Sequence, residues 1–257
     1  MQKCYALTTV FAGLFAAVLL PACLAQDAGS PSNPQANGKE ALPKFGVAVS
    51  VGTLGVGIQA GTAVAKHTNL RFGFNDFSYS LNGTDSKSNL RYDATLRLRS
   101  VELLVDQYLK GPFHVSGGAL LYDGFQGTAN VTVPGGSTLA LNHVQYYSSL
   151  SDPVGGTGTI GARKVAPEVL LGFGNLLPRS GRHFTVIFDL GVVFQGSPQA
   201  KLNLLGSTCL TPTTGCSPIS SNASVQANIT AQQTTINNDL KAFQFYPVIR
   251  LGFGYKF

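Results

Sequence analysis

Apolar residues recur at every second position through much of this chain, most plainly in its last fifteen residues. There Phe243, Phe245, Ile249, Leu251, Phe253, Tyr255 and Phe257 share one parity, broken only at Pro247. Gln244, Tyr246, Val248, Arg250, Gly252, Gly254 and Lys256 share the other. Period two predicts a β-strand whose faces meet different surroundings. One face is uniformly apolar; the other mixes charge, glycine and tyrosine. A strand with lipid outside and a polar interior accounts for this better than the edge strand of a soluble sandwich.

The same reading predicts seven earlier strands, at Lys44–Val51, Leu54–Ala65, Asn69–Leu81, Asn89–Leu109, Phe113–Val133, Thr159–Gly174 and Arg182–Leu204. In the second, Gly55, Gly57, Gln59, Gly61 and Ala63 line one face, small enough to admit large side chains from across a narrow barrel. In the third, Leu70, Phe72 and Phe74 alternate with Arg71, and a parity change near Asp76 predicts a bulge. The fourth and fifth far exceed the roughly 9–11 residues of a crossing, so their upper halves should stand above the membrane. Connections 82–88, 134–158 and 205–242 are long, whereas 66–68, 110–112 and 175–181 are short. That alternation fits long extracellular loops and short periplasmic turns. Within the last loop, Val225, Ile229, Ile236 and Leu240 predict a helix over about 222–241.

Composition changes the picture little. Of 257 residues, 44% are hydrophobic and 12% charged, as interleaved barrel strands allow. The sequence pI is near 9.2, but no Lys/Arg stripe forms, which argues against nucleic-acid binding. Residues 1–25 read as a signal peptide, with Lys3, an apolar run from Ala6 to Leu20 and a small-residue cleavage site before Gln26. A lipoprotein box ending at Cys23 is the rival reading. Residues 26–43, polar and rich in Pro, Ser, Asn and Gly, read as a disordered periplasmic linker, and 44–257 as the barrel. No further stretch is long and apolar enough for a spanning helix, so any other span must be made of strands.

The aromatic-ended final strand resembles the C-terminal signal of bacterial outer-membrane barrels. Runs such as Val101–Asp106, Lys164–Gly174 and Phe188–Pro198 resemble those of small eight-stranded barrels, the group of the outer-membrane protein A barrel and the opacity-type proteins. The resemblance implies an all-β fold: an eight-stranded antiparallel up-and-down transmembrane β-barrel with long extracellular loops and a short helix in the last. It implies export to the outer membrane, contact with its lipids and lipopolysaccharide, engagement of the barrel-assembly machinery through the C-terminal strand, and a monomer. It does not extend to a peptidoglycan-binding domain.

By parity, Arg71, Glu102, Asp106, Glu168, Asp189 and Arg250 face inward. Charges in so narrow a lumen must be paired. Arg250 is expected to neutralise Asp189 across neighbouring strands, forming a structural plug; the rival is the gate of a narrow channel for ions or small apolar molecules. Arg97 and Arg99 share parity with lipid-facing Val101, above the apolar band, where they could meet lipopolysaccharide phosphates, with Asp123 opposite Arg99. His114-Val115-Ser116 matches a short pattern of lipid A deacylases, but it sits at the periplasmic end, far from the outer leaflet. Enzymatic activity is therefore not expected, and neither cofactor nor metal site is evident. Cys209 and Cys216 are expected to form a disulfide in an oxidising compartment. The functional expectation is a non-enzymatic barrel serving envelope integrity, lipopolysaccharide contact or adhesion.

Overall fold

The computed structural model describes residues 45–85, 90–122, 126–179 and 181–257. The signal peptide and linker of the sequence reading lie outside them. In chain order the strands are β1 (Gly46–Gly52), β2 (Gly55–Ala65), β3 (Thr68–Thr84), β4 (Arg91–Lys110), β5 (Phe113–Tyr122), β6 (Gly127–Val133), β7 (Thr138–Leu141) and β8 (Val144–Ser148). There follow β9 (Val154–Gly161), β10 (Val165–Phe173), β11 (Phe184–Val193), β12 (Gln199–Leu205), β13 (Ser207–Cys209), β14 (Ser217–Pro218), helix α1 (Ala223–Leu240) and β15 (Tyr246–Lys256).

Eight of these strands close a ring of antiparallel pairs: β1, β2, β3, β4, β5, β10, β11, β15 and back to β1. The first and last wall strands meet in register, Val47 opposite Tyr255 and Val51 opposite Leu251. Closure removes the free edges that an open sheet would present. The outward parity leaves Val49, Ile58, Phe72, Leu103, Leu171, Phe188, Phe253 and their neighbours exposed as an apolar belt. Lipid solvates such a belt without penalty, because the wall strands pair their backbones with one another all round the ring. The chain is a transmembrane β-barrel.

The lumen is filled in layers. At the periplasmic end the turn after β10 folds inward, and Leu176 packs on Ala48 and Ile187. Asn175 fixes that turn, accepting from the Leu177 backbone N–H (2.8 Å) and the Asn69 amide (3.1 Å). At the extracellular end Leu54, Leu104, Leu120, Tyr122, Ala166, Leu170, Val193 and Val248 form an apolar plug. Leu54 belongs to the β1–β2 turn, which latches onto β15: the Tyr246 hydroxyl donates to the Thr53 carbonyl (2.6 Å) and the Thr53 hydroxyl to that of Pro247 (2.9 Å). Polar residues occupy the level between.

A second body stands above the wall. The upper halves of β3 and β4 continue into a sheet with β6, β9 and β12. A smaller sheet, β7–β8–β13–β14, and α1 pack around Val133, Leu139, Leu141, Tyr146, Val154, Ile219, Val225 and Ile229. Asn222 caps α1, accepting from the Ser224 and Val225 N–H groups. Further along the helix, Asn237 accepts from the Ala200 N–H (2.6 Å) and Gln233 from the Leu202 N–H (3.1 Å), so amide side chains cover the outer edge of β12. The apolar stripe expected through Ile236 and Leu240 therefore weakens; these two are only half-buried.

The structure corrects several strand expectations. The long runs from Phe113, Thr159 and Arg182 are each divided, because the chain leaves the wall and enters the head sheet as β6, comes down from it after β9, and re-enters it as β12. The 134–158 segment, expected as a loop, holds β7, β8 and the start of β9. The bulge near Asp76 is absent, since β3 and β4 pair in one register from Thr68 to Thr84. Parity changes there because β3 rises past the β1–β2 turn: Val56 opposite Asp76 is the last pair of β2 with β3 at that end. The β2–β3 irregularity falls instead between Ala63 and Ala65.

Candidate functional site

Between the two apolar ends, inward positions of five wall strands, β3, β4, β10, β11 and β15, converge on a charged layer. Asp189 on β11 stands directly opposite Arg250 on β15. Arg250 donates to Asp189 through Nε (3.0 Å) and Nη2 (2.7 Å), and to Glu102 through Nη1 (2.5 Å). Arg71, reaching in from β3, donates to Asp189 (2.8 Å) and Asp106 (3.0 Å). Two guanidiniums thus hold three carboxylates, with Asp189 shared between them. Such charge-assisted bonds are strong in geometry, yet their net worth is offset by the cost of removing both ions from water.

Neutral groups complete the network. Gln59 donates to Glu102 (3.2 Å) and accepts from Arg71 (3.4 Å). Ser116 donates to Asp106 (2.6 Å), and His114 Nε2 lies 3.2 Å from Asp189. The layer fits because glycines face its largest members: a Cβ at Gly73 would collide with the Glu102 carboxylate, and one at Gly172 with the His114 ring. Glu168 differs. It is 1% exposed, and neither of its carboxylate oxygens has a hydrogen-bond partner among the described residues.

Sequence parity identified the six charged members, but not the roles of Gln59, His114 and Ser116, which answer charges reaching in from other strands. His114 and Ser116 do not bond to each other; each serves a different carboxylate inside the lumen. Arg97 and Arg99 lie outside the layer, on the outer face of β4 above Val101. Arg99 is paired with Asp76 across the β3–β4 register (3.0 Å); Asp123, expected opposite Arg99, lies outside the described residues. The two cysteines form the Cys209–Cys216 disulfide in the head.

These strands also match solved structures. Acinetobacter baumannii CarO aligns with a TM-score of 0.50 at 20% identity, over 86% of this chain and 100% of its own. The fold is that of an outer-membrane β-barrel. Acinetobacter baumannii CarO2 aligns at 17% identity with a TM-score of 0.49, over 84% of this chain and 99% of its own. The sequence matches no protein-family model and no curated protein. Likeness to CarO at this identity speaks for the fold and leaves the role of the charged layer to the geometry.

Proposed function

We propose that the protein is a non-enzymatic integral outer-membrane barrel that braces the envelope and carries a structured head for contacts at the cell surface. The carrying observation is the filled lumen: a cross-linked charged layer lies beneath an apolar plug closed by Leu54 and Tyr246. Filling of this kind suits a structural element. Planar-bilayer recording with purified protein tests the reading. Background conductance is expected, and stable unitary steps would replace it with the narrow passive channel.

The rim supplies the lipid contact. Arg97 is exposed and Arg99 half-buried on the outer face, just above the apolar belt, and Asp76 holds the Arg99 guanidinium in place. Guanidinium matches phosphate oxygens in shape and charge, which makes lipopolysaccharide phosphates the natural partner at this height. Replacing both arginines by Gln is expected to lower lipopolysaccharide co-purification and folding yield in lipopolysaccharide bilayers, with no change in phosphatidylcholine. Equal loss in both membranes would assign the arginines to the fold. Strand β15, with its aromatic outer face, is the surface offered to the barrel-assembly machinery during insertion.

A further inference from the structure

Four carboxylates and two guanidiniums meet in the lumen: Glu102, Asp106, Glu168 and Asp189 against Arg71 and Arg250. The formal balance is two negative charges. It falls to one when His114 carries a proton; its ring nitrogens face the Pro112 carbonyl (3.4 Å) and Asp189 (3.2 Å). The deficit is not spread evenly. Asp106 and Asp189 are engaged by guanidinium, serine and histidine, whereas Glu102 uses only Oε1 for Arg250 and Gln59. Among the described residues, the buried carboxylate oxygens without a partner are Glu102 Oε2 and both oxygens of Glu168. These side chains are 0% and 1% exposed; Glu102 stands opposite Leu120 and Glu168 opposite Gly118, so they flank β5 from either side, two positions apart on its inward face. Ser100, two residues from Glu102 on the same face of β4, adds a buried hydroxyl that also lacks a partner.

We propose that Glu102 and Glu168 form a binding site for a small, hard metal cation inside the lumen, at the floor of the apolar plug. The site offers oxygen alone, the donor preferred by alkali and alkaline-earth ions. No group of three or more His, Cys, Asp or Glu among the described residues could hold a metal ion, so the acidic donors here are two carboxylates alone. A cation there supplies the missing charge, satisfies the unpartnered oxygens and ties β4 to β10. The site is independent of the lipid contact at the rim and does not require conduction.

The test uses full-length protein folded in detergent, with urea unfolding measured at constant ionic strength in choline, sodium or calcium chloride. Sodium or calcium should raise the wild-type midpoint, with stability growing by about 1.4 kcal/mol for each tenfold of ion above its dissociation constant. A preference between the two salts identifies the ion's charge. Glu168→Gln should abolish the ion dependence. A wild-type midpoint equal in all three salts would overturn the proposal, as would an ion dependence retained in Glu168→Gln. If that variant fails to fold, infrared spectra of the wild type decide the matter. A carboxylate band that shifts on adding the ion supports the site, and a protonated carbonyl band insensitive to ions refutes it.

Discussion

Arg250→Ala is the sharpest test of the charged layer. Arg250 makes three hydrogen bonds to two carboxylates and is 4% exposed. Truncation leaves Glu102 with only the Gln59 amide, and leaves Asp189 with Arg71 and His114. Four interior carboxylates then face one guanidinium. Removing one partner of a buried ion pair costs about 3–5 kcal/mol, since the surviving charge remains desolvated. With a denaturant slope of about 1–3 kcal/mol/M, the urea midpoint should fall by about 1 M or more. The chain has no Trp, so unfolding in lipid vesicles is best followed by circular dichroism and by heat-modifiable gel migration. A second variant isolates charge from packing. Arg250→Met with Glu102→Met removes one cation and one anion together, and should recover most of the loss. An unchanged midpoint in Arg250→Ala would refute the reasoning, as would a double variant no more stable than the single one.

Leu54→Ala opens the plug at its lid and should lower stability by about 2–5 kcal/mol, the range for deleting a buried leucine side chain. The same variant should admit ion steps in planar bilayers that the wild type lacks; silence in both would show that the charged layer alone seals the lumen. Cys209→Ser with Cys216→Ser should leave the barrel's urea midpoint unchanged while hydrogen exchange accelerates in β13 and the 210–215 loop, because so short a cross-link constrains little beyond its own loop. Thiol labelling of the wild type on intact cells without reductant should be absent.

The wall was legible because lipid imposes a strict rule. Phe253 and Tyr255 must face hydrocarbon, so Arg250 and Gly252 must face the lumen, and the same parity places Glu102, Glu168 and Asp189. The plug was not legible because Leu104, Leu120 and Leu170 sit on the polar parity, where a leucine signals nothing until its neighbours across the lumen are known. The head was missed for a different reason. Strand β9 contains Gly155, Gly156 and Gly158, whose missing side chains erase the alternation, and between β11 and β12 only the short Gly196-Ser197-Pro198 run marks the chain's departure from the wall.

The helix lying along β12 sets a measure of length. Gln233 and Asn237 are four residues apart on a helix, about 6 Å. Leu202 and Ala200, whose N–H groups they receive, are two apart on a strand, about 6.7 Å. The two repeats are nearly commensurate, so the helix reads the strand like a ruler laid against a scale. Adding or deleting one residue in either would shift every later mark out of step. Insertions in this head should therefore be confined to the disulfide loop and the hairpin turns, and the β12–α1 block should change by substitution alone.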